Sequence, residues 1–174
     1  MSARPVPERP GPGQESVWDY PRPPRLERTD ELVEVELGGR VVASTRSAWR
    51  VLETSHPPTY YLPRDAFAPG TLRPCEGSSW CEWKGQASYF DLVVASADDG
   101  PGGGVVARRA AWTYEHPTPG FADLAGAVAV MPGLVDRCSV DGETVLAQPG
   151  GFYGGWITSR VVGPFKGGPG TSGW

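Results

Sequence analysis

The chain has 174 residues, enough for one domain with a single core, and 16 basic against 20 acidic side chains give a net charge of −4. No basic run is longer than Arg108-Arg109, which excludes an electrostatic footprint for nucleic acid. No apolar run approaches the roughly 20 residues of a membrane helix. The N-terminus has Pro and Glu where a signal peptide has its apolar segment, so a soluble, cytoplasmic protein is expected.

Gly and Pro number 24 and 19, concentrated at both ends and near Asp99–Gly104. This divides the chain into a Pro-rich arm over residues 1–29, extended or disordered, a β domain over 30–147, and a Gly/aromatic tail over 148–174, partly docked on the domain. Within the arm, Val17-Trp18-Asp19-Tyr20-Pro21 carries two aromatics that would dock on the domain itself or on a partner.

From Asp30 the apolar period becomes two. Val33, Val35 and Leu37 alternate with Glu34 and Glu36, and Gly38-Gly39 precedes Val41 and Ala43, a β-hairpin pattern. Ser47 to Glu53 fits a third strand or a short helix. Tyr60 to Pro63 reads as a short strand, and Leu72 to Trp80, with Pro74 and Gly77, as a bend or irregular crossing. Lys84-Gly85 reads as a turn needing positive φ, followed by a strand from about Ala87 to Val94 with Ala87 and Tyr89 on one face. Ala97 to Gly104 reads as a flexible turn and Val105 to Glu115 as a strand, with Trp112, Tyr114 and His116 on one face. Phe121 to Leu124 suggests one helical turn, and Ala127 to Met131 a short buried strand. Asp141-Gly142 between alternating apolar residues signals a second hairpin. No helix of ten residues is indicated, so the fold class is all-β, a single small domain of antiparallel hairpins.

Unusual chemistry is densest from Trp80 to Phe90. Cys81 lies three residues before Lys84, and a nearby ammonium makes thiolate available. His116 could serve as its base if the two strands are neighbours. The alternative is that Cys81 is a small buried apolar residue. Lys84 is either solvated with its stem over a ring, or pocketed among Trp80, Trp83 and Tyr89 to bind an anion or carbonyl. The rings of Trp80, Trp83, Tyr89, Trp112 and Tyr114 could line a pocket for a flat or cationic ligand, or fill a core.

Three Cys (75, 81, 138) and two His (56, 116) offer no four-ligand zinc spacing, so no metal or other cofactor is expected. Gly100-Pro101-Gly102-Gly103-Gly104 lacks the Lys-Ser/Thr ending of a phosphate loop, and Asp98-Asp99 is a weak metal site.

Three segments carry a resemblance. Tyr61-Leu62-Pro63-Arg64-Asp65, Cys81-Glu82-Trp83-Lys84-Gly85-Gln86-Ala87-Ser88-Tyr89 and Ala111-Trp112-Thr113-Tyr114-Glu115-His116-Pro117 look like the bacterial domain of unknown function 427 (DUF427) family. The first departs from the family's Tyr-x-Pro-x-x-Asp spacing, because Asp65 follows Arg64 directly. The resemblance implies a small all-β domain similar to the tent-like sheets of cereblon's ligand-binding domain and methionine sulfoxide reductase B. It implies no reaction.

Three functional readings follow. In the first, an aromatic pocket lined by Trp80, Lys84, Tyr89, Trp112 and Tyr114 binds a small molecule, with a polar group against Lys84. In the second, a small enzyme uses Cys81 and Lys84 as catalytic residues for thiol or carbonyl chemistry. In the third, the Pro/aromatic arm makes the chain a protein-interaction module.

Overall fold

The computed structural model describes residues 4–95 and 104–174. Among these, fifteen strands alternate with four short 3-10 turns. In chain order the strands are β1 (Glu15–Ser16), β2 (Arg25–Thr29), β3 (Val33–Leu37), β4 (Arg40–Thr45), β5 (Ala48–Leu52), β6 (Thr59–Leu62), β7 (Leu72–Cys81) and β8 (Gly85–Ala95). They continue with β9 (Gly104–Thr113), β10 (Val128–Val130), β11 (Arg137–Val140), β12 (Glu143–Thr144), β13 (Leu146–Ala147), β14 (Trp156–Ile157) and β15 (Val161–Val162). The chain is all-β. The turn expected at Ala97–Gly104, and with it Asp98-Asp99, lies outside the described residues except for Gly104, which opens β9.

Both glycine-signalled hairpins form. β3 pairs antiparallel with β4 across Gly38-Gly39, and β11 with β12 across Asp141-Gly142. Together they build a four-stranded sheet in the order β12-β11-β3-β4. The larger sheet has seven strands in the order β2-β5-β6-β10-β9-β8-β7.

Period-two alternation sorts side chains between the two faces of the large sheet. Tyr60, Leu62, Phe90, Leu92, Val128 and Val130 point one way. There they meet Val33, Val35, Ala43, Cys138 and Val140 of the small sheet to form the main core. Tyr61, Ala87 and Ala129, interleaved with them in sequence, point the other way. They pack with Val51, Tyr114, Phe121 and Leu124 in a second cluster. That second face carries the candidate site.

One expectation is corrected, and two open alternatives are decided. Leu72–Cys81 is a strand, not a crossing: it is the sheet's edge, where Pro74 is tolerated, and the pairing shifts between Cys75 and Ser78. Ser47–Glu53 resolves to the strand β5, paired on both sides. Strand pairing in the large sheet begins before residue 30. Arg25–Thr29 forms five paired positions with β5 as the opposite edge strand, and its single apolar residue, Leu26, gives no alternation to read. Finally, the arm's aromatic segment is consumed within the chain. Val17 and Tyr20 pack with Leu52 and Val161, β1 pairs with β15, and the Trp18 indole Nε1 donates to the Pro164 carbonyl at 2.9 Å.

The tail is anchored as well. Trp156 is 1% exposed in the main core, and its indole Nε1 donates to the Val130 carbonyl at 3.1 Å.

Candidate functional site

On the second face of the large sheet, strand register sets a lateral row. Trp49 lies opposite Tyr61, Tyr61 opposite Ala129, Ala129 opposite Trp112, and Trp112 opposite Tyr89. Tyr61, Trp112 and Tyr89 of this row line a depression on that face, while Ala129 between them is covered within the second cluster. Walls rise on either side of it to enclose a cavity of about 430 Å³, within the range of small-molecule sites.

One wall is the β7–β8 hairpin with Trp80, Cys81, Glu82, Trp83 and Lys84. Gly85 has φ +102° there, a conformation that favours glycine, and it makes the tight turn that directs Lys84 inward. The Lys84 carbonyl accepts from Thr118 N at 3.0 Å, fixing the turn to the segment after β9. The facing wall comes from the tail, with Phe152, Tyr153, Gly154 and Lys166. Glu53 and His56 close the end near β5 and β6.

The structure brings Trp80, Cys81, Lys84, Tyr89, Trp112 and Tyr114 to this one cavity. Their environments differ. Trp80 is 75% exposed at the mouth, as is Phe152 at 80%. Lys84 is 8% exposed, with Nζ 5.7 Å from the Tyr114 ring centroid and 5.9 Å from that of Phe121. Among the described residues no hydrogen bond or ion pair engages that nitrogen, although it keeps accessible surface. Buried ammonium groups are ordinarily paired.

His116 is corrected. Its side chain is exposed and outside the cavity, because the chain leaves the sheet after Thr113 and strand alternation no longer governs its direction. Asp65, in the first resemblance motif, is exposed and also outside.

Sequence reasoning missed Tyr61, Glu53, His56, Gln148 and Lys166. The imidazole of His56 is 9% exposed, and burial, followed by the charges of Lys166, Arg22 and Lys84, pushes it down to about 4. It is neutral at physiological pH, so its 3.5 Å approach to Glu53 Oε2 is a contact of N–H with carboxylate rather than an ion pair. Burial raises the Tyr61 and Tyr114 phenols well above their ordinary range, keeping both protonated as potential donors. Tyr61 Oη accepts from Trp112 Nε1 at 3.2 Å.

Cys81 packs against the second apolar cluster beside Trp83 and Trp112. The base that thiol chemistry needs is not at hand, since His116 is outside and both His56 nitrogens face partners, Gln148 and Glu53. Cys138 lies in the main core, where burial pushes its thiol up to about 12.

A second, larger depression of about 590 Å³ involves Glu15, Glu27, Glu31, Arg50 and Arg160. Its buried charge is offset by two carboxylates, Arg50 pairing with Glu27 at 2.6 Å and Glu15 at 3.2 Å, with Arg50 Nε alone left without a hydrogen bond. The ring-lined cavity, where Lys84 Nζ has no such partner among the described residues, is therefore the stronger candidate site.

Residues 25–141, about two thirds of the chain, match the family described as Domain of unknown function (DUF427). The chain belongs to that family. No curated protein matches it. The DUF427 match includes Glu53, His56, Tyr61, Cys81, Lys84, Tyr89, Trp112 and Tyr114. It ends before Gln148, Phe152, Tyr153 and Lys166, so one wall of this DUF427 cavity comes from beyond the matched segment. Among the described residues no group of three or more His, Cys, Asp or Glu could hold a metal, and no helix is long and apolar enough to cross a membrane.

Proposed function

We propose that this DUF427 domain binds a small molecule with a flat or aromatic body, and that Lys84 holds an anionic or carbonyl oxygen of that ligand. One observation carries the reading: an ammonium 8% exposed, without a hydrogen bond or ion pair among the described residues, opens onto a cavity walled by aromatic rings. An uncompensated buried charge is unfavourable, and a ligand oxygen supplies the missing partner. The rings of Trp112, Tyr89 and Tyr114 supply apolar and π surface at low conformational cost.

The test is a thermal-shift screen with aromatic carboxylates and cyclic carbonyl compounds. Binding to the folded state raises the melting temperature with the logarithm of ligand concentration. The expected result is a concentration-dependent rise in the wild type that is lost in Lys84→Met. An equal rise in Lys84→Met overturns the assignment.

A further inference from the structure

Glu53 and His56 are brought together by a constrained turn. His56 N donates to the Glu53 carbonyl at 3.0 Å, and Ser55 between them has φ +71°. Such a conformation in a non-glycine residue is unfavourable and persists where the surroundings over-determine it. Here they do: Ser55 N donates to the Val17 carbonyl at 3.0 Å, and the Ser55 carbonyl accepts from Lys166 N at 2.9 Å. Arm and tail both clamp the turn.

The proton on His56 is fixed by its neighbours. Gln148, 3% exposed, accepts at Oε1 from Gly155 N at 3.1 Å and donates from Nε2 to the Lys166 carbonyl at 2.8 Å. Both partners are backbone groups of fixed polarity, so the amide has one orientation. Its Nε2 also faces His56 Nδ1 at 3.0 Å and must donate to it. Nδ1 is therefore the acceptor, and the imidazole proton sits on Nε2, toward Glu53 Oε2. Arg22 Nε lies 3.4 Å from the same oxygen. Both groups lie on the Oε2 side at ion-pair distance, while Oε1 has no partner among the described residues and remains accessible. Glu53 and Lys84 line the same cavity without pairing with each other.

We propose that Glu53 is the second anchor of the cavity, its free Oε1 accepting an N–H from the ligand whose oxygen Lys84 holds. The ligand class is then a small aromatic zwitterion, with an ammonium or amine at one end and a carboxylate at the other. His56 and Gln148 are positioning residues that aim the carboxylate. This inference rests on the Lys84 reading and adds the donor requirement to it.

Three matched probes test it by calorimetry: 4-(aminomethyl)benzoate carries both groups, 4-methylbenzoate only the oxygens, and benzylamine only the donor. The zwitterion should bind about tenfold or more tighter than 4-methylbenzoate, the scale of one charge-assisted hydrogen bond. Glu53→Gln should erase that preference and leave 4-methylbenzoate within about twofold of its wild-type affinity. In Gln148→Glu an acceptor faces Nδ1. The ¹⁵N shifts of His56 should then report a proton on Nδ1 as well as Nε2, an imidazolium that pairs with Glu53, together with loss of the zwitterion preference. If both acids bind wild type equally and Glu53→Gln changes nothing, the Glu53 inference is overturned and the Lys84 reading stands. If no probe binds at millimolar concentration, both are overturned.

Discussion

Lys84→Met separates a ligand-binding lysine from a structural one, because the two roles predict opposite balances of affinity and stability. In the folded protein the ammonium is 8% exposed and its neighbours are the faces of Tyr114 and Phe121 at 5.7 and 5.9 Å. Those distances are at the outer edge of cation–π attraction, so the loss on substitution is at the low end, about 0.5–1 kcal/mol. Against this, methionine keeps most of the apolar stem and removes a charge with no hydrogen bond or ion pair among the described residues, which offsets the loss or exceeds it. For a chain of this size about 1 kcal/mol moves the melting temperature by roughly 2–4 °C. The variant should therefore melt within about 4 °C of the wild type, and higher rather than lower. Affinity should respond differently. A hydrogen bond to a charged donor contributes about 1.5–3 kcal/mol, so an acid or carbonyl ligand should bind about ten- to a hundredfold more weakly. Calorimetry on a ligand found by thermal shift, beside a thermal melt of each protein without ligand, checks both numbers. A melting temperature lower by about 8 °C or more, with affinity unchanged, would make Lys84 a structural residue and refute the reasoning.

Three further outcomes are expected. His56 titrates near 6.5 in the unfolded chain and about 4 in the folded one, so its stabilisation is complete above pH 6.5 and is lost as pH falls toward 4. Roughly 3 kcal/mol is at stake, and urea midpoints across that window should show a pH slope that flattens in His56→Gln. Gly155→Ala should lower stability by about 1–3 kcal/mol. The added Cβ would lie 2.5 Å from Gln148 Oε1 and 2.7 Å from the Pro57 carbonyl oxygen, and backbone cannot swing aside; an unchanged melting temperature would contradict this. A strong chelator should leave the melting temperature unchanged, and stoichiometric zinc with unfolding on chelation would refute that expectation.

Much of the fold is legible in local pattern. The Val33–Thr45 hairpin and the Asp141-Gly142 turn follow from alternation and glycine placement, which are properties of a few adjacent residues. The pairing of Tyr89 with Trp112 is legible too, since both lie on strands joined by one connection and sequential strands usually neighbour. For that reason Cys81, Lys84, Tyr89, Trp112 and Tyr114 could be grouped from the sequence alone. Tyr61 could not, because Tyr60-Tyr61-Leu62 is apolar at every position and carries no alternation to say which ring faces which side. Arg25–Thr29 was hidden in the same way, since an edge strand with mostly charged residues has the composition of a linker.

The tertiary structure alone decided what closes the cavity. Gln148 meets His56 across 92 residues of chain, and Lys166 N meets the Ser55 carbonyl from the far end of the tail. Neither segment has a period or motif that signals such contacts. They form because Trp156 inserts in the core and β15 pairs with β1, which lays the glycine-rich backbone close over the second face of the sheet. The sequence determined which faces the strands present, since alternation is local. Which distant loop covers a face depends on how the whole chain packs, and only the folded molecule contains that information.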